Sequence, residues 1–396
     1  MTWDFDEPLP EPVARARALA PIIEAAAEET ERERKVAASV MKALHERRMF
    51  RLLLPRSLDG EELAPVTFVR VVEEIARADA STAWCLSQNS GCSMMAGYVP
   101  PEAAREIWGP PDAVLAWGAQ GGDGYAQVTD GGYRVTGTWS FASGSRRATW
   151  LGAHCPIVER DGTRRMGKSG GPEVRTMLFP VSQVVMKDIW HVIGLRGTGS
   201  DAYTVTDLFV PETHAGIRDE PEHRRHTSPL YCYPTSSLYA SSFAGLALGI
   251  ARPVLDAFIA LATDKSPRGS KGALRENAVI QSQVAQAEAQ WRSARAFLYG
   301  SVSDVWRSIQ ATGAELTLEQ RMLIRLASTW AIHQARGVVD TVYAAAGSTA
   351  IFQSQPFERR FRDMHTVAQQ GQAASINLEA VGQIILGLEL NTSRPI

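Results

Sequence analysis

Residues 125–139 read YAQVTDGGYRVTGTW, and here the period of the chain changes. Apolar and polar residues alternate on both sides of Asp130-Gly131-Gly132, the pattern of two strands joined by a tight turn. Downstream, IVERDGT (157–163) supplies a second turn at Asp161-Gly162. TMLFPV, SQVVMKDIW and AYTVTDLFVP have the composition of further strands. Six or seven strands are therefore expected between about Val114 and Glu212, enough for a compact barrel or sandwich.

Both flanks read as helix. The segment AEETERERKVAASVMKALHERR (27–48) is rich in residues with high helix propensity. Within VTFVRVVEEIARA (66–78), Val69, Val72, Ile75 and Ala76 share one face, and the Glu73-Glu74 pair is expected to be solvated. After a polar loop, PETHAGIRDEPEHRRHTSP (211–229), helical spacing returns. Ile280, Val284, Ala287, Trp291, Ala294 and Leu298 follow one another at intervals of 4-3-4-3-4, a seam for packing helices in a bundle. The stretch from Leu318 predicts a second long helix ending at Gly347. Three domains follow: a helical one over 1–112, a β-barrel over 113–225 and a helical bundle over 226–396.

Composition narrows the function. A chain of 396 residues with 45% hydrophobic and 21% charged residues folds into a globule. Its formal charge of −2 supplies no field for holding a phosphate backbone, so nucleic acid is not an expected partner. The four cysteines include no CxxC pair and the eight histidines have no ligand spacing, so no metal site is expected. The acidic start MTWDFDEPLPEP lacks an apolar core, and no apolar run reaches the ~18–20 residues of a membrane span. A cytoplasmic protein without a membrane partner is expected. Residues 162–169 satisfy GxxxxGK[ST], but Gly170, Gly171 and Pro172 stand where that motif needs a helix, so the match predicts a hairpin tip.

Two segments carry chemistry. WSFASG (139–144) and GLRGTGS (194–200) combine glycines, which let backbone approach a flat ligand, with hydroxyls that orient it. Together with VVEEIARADASTAW in the helical front and AAAGSTAIFQSQPFERRFRDMH near the end, they make the chain resemble the acyl-CoA dehydrogenase superfamily over nearly its whole length. The resemblance implies an α+β, mostly α fold: an N-terminal helical domain, a middle β-barrel, a C-terminal four-helix bundle, and a homotetramer.

Within that superfamily the chain is more similar to the oxygenase components of two-component flavin monooxygenases, such as the hydroxylases of 4-hydroxyphenylacetate and of steroid-derived phenols. Acyl-CoA-oxidising members carry a catalytic glutamate before a glycine at the position of Gln370-Gly371, and an amide is no base. The resemblance implies reduced flavin (FMNH2, with FADH2 the alternative) delivered by a separate NAD(P)H:flavin reductase, O2, and a small aromatic or polycyclic substrate hydroxylated through a C4a-hydroperoxyflavin. It places Ser143 near flavin N5 and His365 in the substrate pocket as general base, with Trp117, Trp139, Phe141, Arg268 and Gly347 also assigned to the flavin. A flavin dehydrogenase or oxidase, and a flavin-free protein keeping the fold, are the alternatives.

Overall fold

The computed structural model describes residues 9–118, 122–168, 170–266 and 272–390. Seven helices come first: α1 (Glu11–Arg17), α2 (Ala20–Ala25), α3 (Ala27–Glu33), α4 (Ala38–Glu46), α5 (Pro65–Ala78), α6 (Ala80–Ser93) and α7 (Pro101–Trp108). Prolines open α1, α5 and α7, where a missing N–H leaves no bond unmade. Asp79 ends α5 and caps α6, its carboxylate accepting from the Thr82 amide at 2.7 Å and the Thr82 hydroxyl at 2.8 Å.

The strands are β1 (Leu115–Trp117), β2 (Tyr125–Thr129), β3 (Gly132–Ala142), β4 (Trp150–Val158), β5 (Val174–Pro180), β6 (Val185–Lys187), β7 (Asp201–Pro211) and β8 (Ala215–Gly216). They pair in the order β6-β7-β3-β2-β4-β5-β8, with β1 parallel to β4. The expected hairpin is β2–β3, with Thr129 opposite Gly132 and Gly131 turning at φ +73°. SQVVMKDIW yields only the three residues of β6. The Ile189 and Trp190 amides donate to the Asp201 carboxylate instead of a ladder, and Asp188 is drawn to Arg34 and Arg146.

The C-terminal block holds three long helices, α8 (Thr235–Asp264), α9 (Ala278–Thr312) and α10 (Leu318–Ala346), and two short ones, α11 (Glu358–Val367) and α12 (Ile376–Ile385). The seam of α9 is buried at Ile280, Ala287, Trp291, Ala294 and Leu298. Thr317 and Gln320 box the start of α10, and Gly347 ends it at φ +58°. Among the described residues α8 alone is long and apolar enough, by length and composition, to cross a membrane, where the sequence predicts no such run. Yet 67% of its apolar window is buried inside the protein, where it packs on α5, α9 and α10. The GxxxxGK[ST] match follows its expected course as far as it is described: Lys168 pairs with Glu222, Met166 bridges Pro172, and Ser169 lies outside the described residues.

Glu73 corrects the expectation of a solvated pair. It is only 2% exposed, because α8 and α9 cover the side of α5 that carries it. There it accepts from Arg295 Nε at 2.9 and 3.1 Å and from the Tyr299 hydroxyl. Its neighbour Glu74 pairs with the half-exposed Arg17. Removing one partner from a buried pair strands the other charge, so Glu73→Ala should destabilise the fold by about 3–5 kcal/mol in urea titrations. Glu74→Ala, which breaks a pair open to solvent on its Arg17 side, should cost less than Glu73→Ala.

Candidate functional site

The site is built at the end of β3. The pairing of β3 with β7 slips between Trp139 and Ala142, and Phe141 takes the left-handed φ of +63° in between. A bulge re-aims side chains, and a strained non-glycine residue persists only where its surroundings hold it. Phe141 is thereby turned outward, 62% exposed and edge-on to Trp190 at 6.1 Å, while Ser143 is turned into the protein.

Two neighbours pin this strand end. Asn89 of α6 donates to the Leu115 and Ser143 carbonyls, both at 3.1 Å. Gly144 sits at φ +78°, and a Cβ there would lie 2.4 Å from Asn89 Oδ1, so only glycine fits. The Gly144 amide donates to Thr198 O at 2.8 Å, joining WSFASG to GLRGTGS.

The hydroxyls of those two segments form a chain with one possible direction. Thr198 Oγ1 donates to Leu195 O at 2.8 Å. A hydroxyl has one proton, so Ser200, 2.7 Å away, must donate to Thr198. Ser143, 2.7 Å from Ser200, must in turn donate to Ser200. Trp84 Nε1 donates to Ser143 Oγ at 2.9 Å. Ser143 therefore has no proton left to give and one lone pair free to accept.

These groups fit the flavin that the resemblance implies. The exposed Phe141 and the half-buried Trp190 offer an aromatic rim for a flat ring, and Ser143 beside them offers an acceptor without a competing proton. Trp117 is buried, with its ring edge-on to His154 at 5.0 Å and under the Arg218 guanidinium at 4.7 Å. Trp139 is wholly enclosed in the barrel core, stacked on Tyr203 and donating to His154 O, so its ring has no surface to offer a ligand. Gly347 is exposed at the end of α10, and Arg268 lies outside the described residues.

His365 stands on α11, half-buried, with Nε2 2.8 Å from Asp340 Oδ1 and its ring 4.3 Å from Phe361. Among the described residues no hydrogen bond joins it to the Ser143 chain. Its near neighbour Asp363 makes that link instead, accepting from the Leu195 amide at 2.6 Å, while Gly194 passes so close to α11 that a Cβ would lie 2.2 Å from Arg362 O. Trp84, Thr198, Ser200 and Asp363 thus join the site without having been singled out individually in the sequence. GLRGTGS flags two of them as hydroxyls, while Trp84 and Asp363 lie in two segments that carry the resemblance without a role of their own being assigned there.

Comparison with known proteins agrees with this architecture. Residues 14–112 match the family model described as acyl-CoA dehydrogenase, N-terminal domain, and residues 241–373 match that described as acyl-CoA dehydrogenase, C-terminal domain. The chain is 31% identical to the indole-3-acetate monooxygenase of Pseudomonas putida over 91% of this chain and 89% of that protein. It is 29% identical to the FADH(2)-dependent resorcinol hydroxylase, oxygenase component, of Rhizobium sp., over 95% and 94% of the two chains. The crystal structure of 3-HSA hydroxylase from Rhodococcus sp. RHA1 superposes with a TM-score of 0.87 at 27% identity, covering 97% of this chain and 98% of that one.

Asp363 generates a pH dependence. Burial, reinforced by the nearby Asp79, pushes its carboxyl up from the usual 3.8 to about 7. Between those values the folded state holds a proton that the unfolded chain has released, so stability falls as pH rises through the window and levels off above it. Asp363→Asn keeps an acceptor for Leu195 and cannot ionise. Its stability relative to the unsubstituted protein should rise from about pH 4 to about pH 7, measured by melts across that range. A difference that does not vary with pH would contradict the assignment.

Proposed function

The chain belongs to the acyl-CoA dehydrogenase family, and from that footing we propose that it is the oxygenase component of a two-component flavin-dependent monooxygenase, hydroxylating a small aromatic molecule. The observation that carries this reading is the direction of the hydroxyl chain. Reduced flavin has a proton on N5 and oxidised flavin has a lone pair there, so an acceptor without a proton favours the reduced form. The similarity to an indole-3-acetate monooxygenase and to an FADH(2)-dependent resorcinol hydroxylase, oxygenase component, supports the same reading. We assign Ser143 to flavin N5, the Phe141–Trp190 rim to the flavin ring, and the pocket base to His365.

When bound, reduced flavin supplies the two electrons that activate O2. The protein's own residues do the rest. Trp84, stacked on Phe243 at 4.1 Å, and Tyr239, stacked on Phe243 at 5.7 Å, form an aromatic wall beside Ser143 that would exclude water and pack an aromatic substrate. Asp340 accepting from Nε2 of His365 leaves Nδ1 as the basic nitrogen, placed to take a proton from a phenol.

The dehydrogenase alternative needs a carboxylate base. At the position where that branch carries one, Gln370 presents an amide whose Oε1 accepts from the Gln372 backbone at 2.7 Å. The same reading puts the protein in the cytoplasm, supplied by a separate NAD(P)H:flavin reductase, and in a homotetramer. Exposed Val279, Phe297, Leu318, Trp330 and Ile385 on the C-terminal helices are in keeping with a partner subunit.

The test is to supply FMNH2 or FADH2 from a reductase with a panel of aromatic substrates, recording hydroxylated product and hydrogen peroxide together. Oxygen-dependent product is expected. His365→Ala should cut product about 10²–10⁴-fold while oxygen uptake continues as peroxide. Ser143→Ala should release peroxide even without substrate. A tightly held stoichiometric FAD that an acyl-CoA thioester bleaches would overturn the reading in favour of a dehydrogenase.

A further inference from the structure

Arg218 lies between β8 and α8, and the site as assigned so far makes no use of it. Its guanidinium carbon sits 4.7 Å over the Trp117 ring, and its Nη1 is sealed from solvent without any hydrogen-bond partner. Guanidinium groups are always charged and carry five donors, so a buried N–H without an acceptor is costly and uncommon.

Asp219, which like Arg218 acts on Tyr239, is the acidic group at hand, and its Oδ1 is taken by the Thr235 amide and hydroxyl at 3.0 and 2.8 Å. Cys92, Tyr239 and His154 are close enough to feel the Arg218 charge. Burial pushes the Cys92 thiol up to about 12 and the Tyr239 phenol well above its ordinary range. Burial, with Arg218 adding to it, holds His154 down at about 3, and its Nδ1 lies 2.9 Å from the Thr176 hydroxyl. At neutral pH the guanidinium is the only charge among Arg218, Cys92, Tyr239 and His154.

Arg218 also stands at the end of the aromatic wall that starts at Ser143. Trp84 touches Ser143, Phe243 stacks on Trp84, Tyr239 stacks on Phe243, and the Tyr239 hydroxyl is 3.6 Å from Cys92 Sγ, beside Trp117 and Arg218. In α6 every residue is buried except Trp84 and Gln88, which are four apart on one face. Tyr239 and His154 keep part of their surface accessible as well. The wall therefore keeps accessible surface at Trp84 and Tyr239 on either side of the buried Phe243, with an acceptor at one end and a guanidinium whose Nη1 lacks a partner at the other.

Building on the oxygenase reading, we propose that Arg218 is a substrate-binding residue that selects aromatic substrates carrying an anionic group, a carboxylate being the best match to its fork of donors. The ring packs along Trp84, Phe243 and Tyr239, and the anion takes the place of the partner that Nη1 lacks.

The test is calorimetric binding to the full chain without flavin, using indole-3-acetate and phenylacetate against their methyl esters. The acids should bind at least about tenfold more tightly than the esters, the worth of a charge-assisted hydrogen bond. Arg218→Met should erase that preference and leave ester affinity and melting temperature as they were, and Arg218→Lys should keep part of it. Arg218→Gln serves if the methionine variant fails to fold. No preference in the unsubstituted protein, no binding of either acid, or an equal preference in Arg218→Met overturns the proposal. So does a loss of FMNH2 affinity without loss of reduced riboflavin affinity, which would make Arg218 a cofactor-phosphate ligand. Failure to bind reduced flavin at all would sink the oxygenase reading, while the acid-to-ester ratio still judges Arg218.

Discussion

A buried hydroxyl has one proton to donate, and the site depends on how three of them are committed in series. Leu195 O fixes the proton of Thr198, which fixes that of Ser200, which fixes that of Ser143. Everything around the chain serves to hold its ends. Asp363 of α11 grips the Leu195 amide, Asn89 of α6 grips the Ser143 carbonyl, and the Trp84 indole occupies one of Ser143's two lone pairs. The strained Phe141 and the bulge in β3 are the local cost of turning Ser143 inward toward these partners.

The arrangement also explains how one superfamily scaffold serves different chemistry. The helical front, the sheet and the bundle meet at α6, which touches α8, α11 and β1. A base carried by the bundle and a hydroxyl carried by the sheet can each change without disturbing that framework. Here Gln370 makes a local backbone contact, and α10 and α11 hold the His365–Asp340 pair. Arg218, whose Nη1 lacks a partner at the far end of the aromatic wall, extends the same logic to the substrate.

Local pattern made much of this legible. The Asp130-Gly131-Gly132 hairpin, the α9 seam and the glycine stop of α10 follow from turn chemistry and helical period, which act over a few residues. WSFASG and GLRGTGS marked where backbone and hydroxyls gather. What stayed hidden depends on partners distant in the chain. Glu73 reads as surface until Arg295, 222 residues away, arrives to bury it. SQVVMKDIW has the composition of a long strand but loses its ladder to Asp201. Trp139 has the look of a ring-stacking residue, yet the glycines at 124 and 137 make room for it inside the barrel. Trp84 and Asp363 lie in segments that carry the resemblance, but their roles exist only once α6 and α11 close on the strand end.

The most direct measurement is the ratio of affinities for reduced and oxidised flavin, titrated anaerobically, in the unsubstituted protein and in Thr198→Val. Valine removes the terminal donor and acceptor, so the Ser200 proton can turn toward Ser143 and free the Ser143 proton to point outward. The unsubstituted protein should bind reduced flavin more tightly, and Thr198→Val should narrow the ratio by strengthening oxidised flavin. Equal affinity for the two forms, or a ratio that the valine leaves unchanged, would contradict the account.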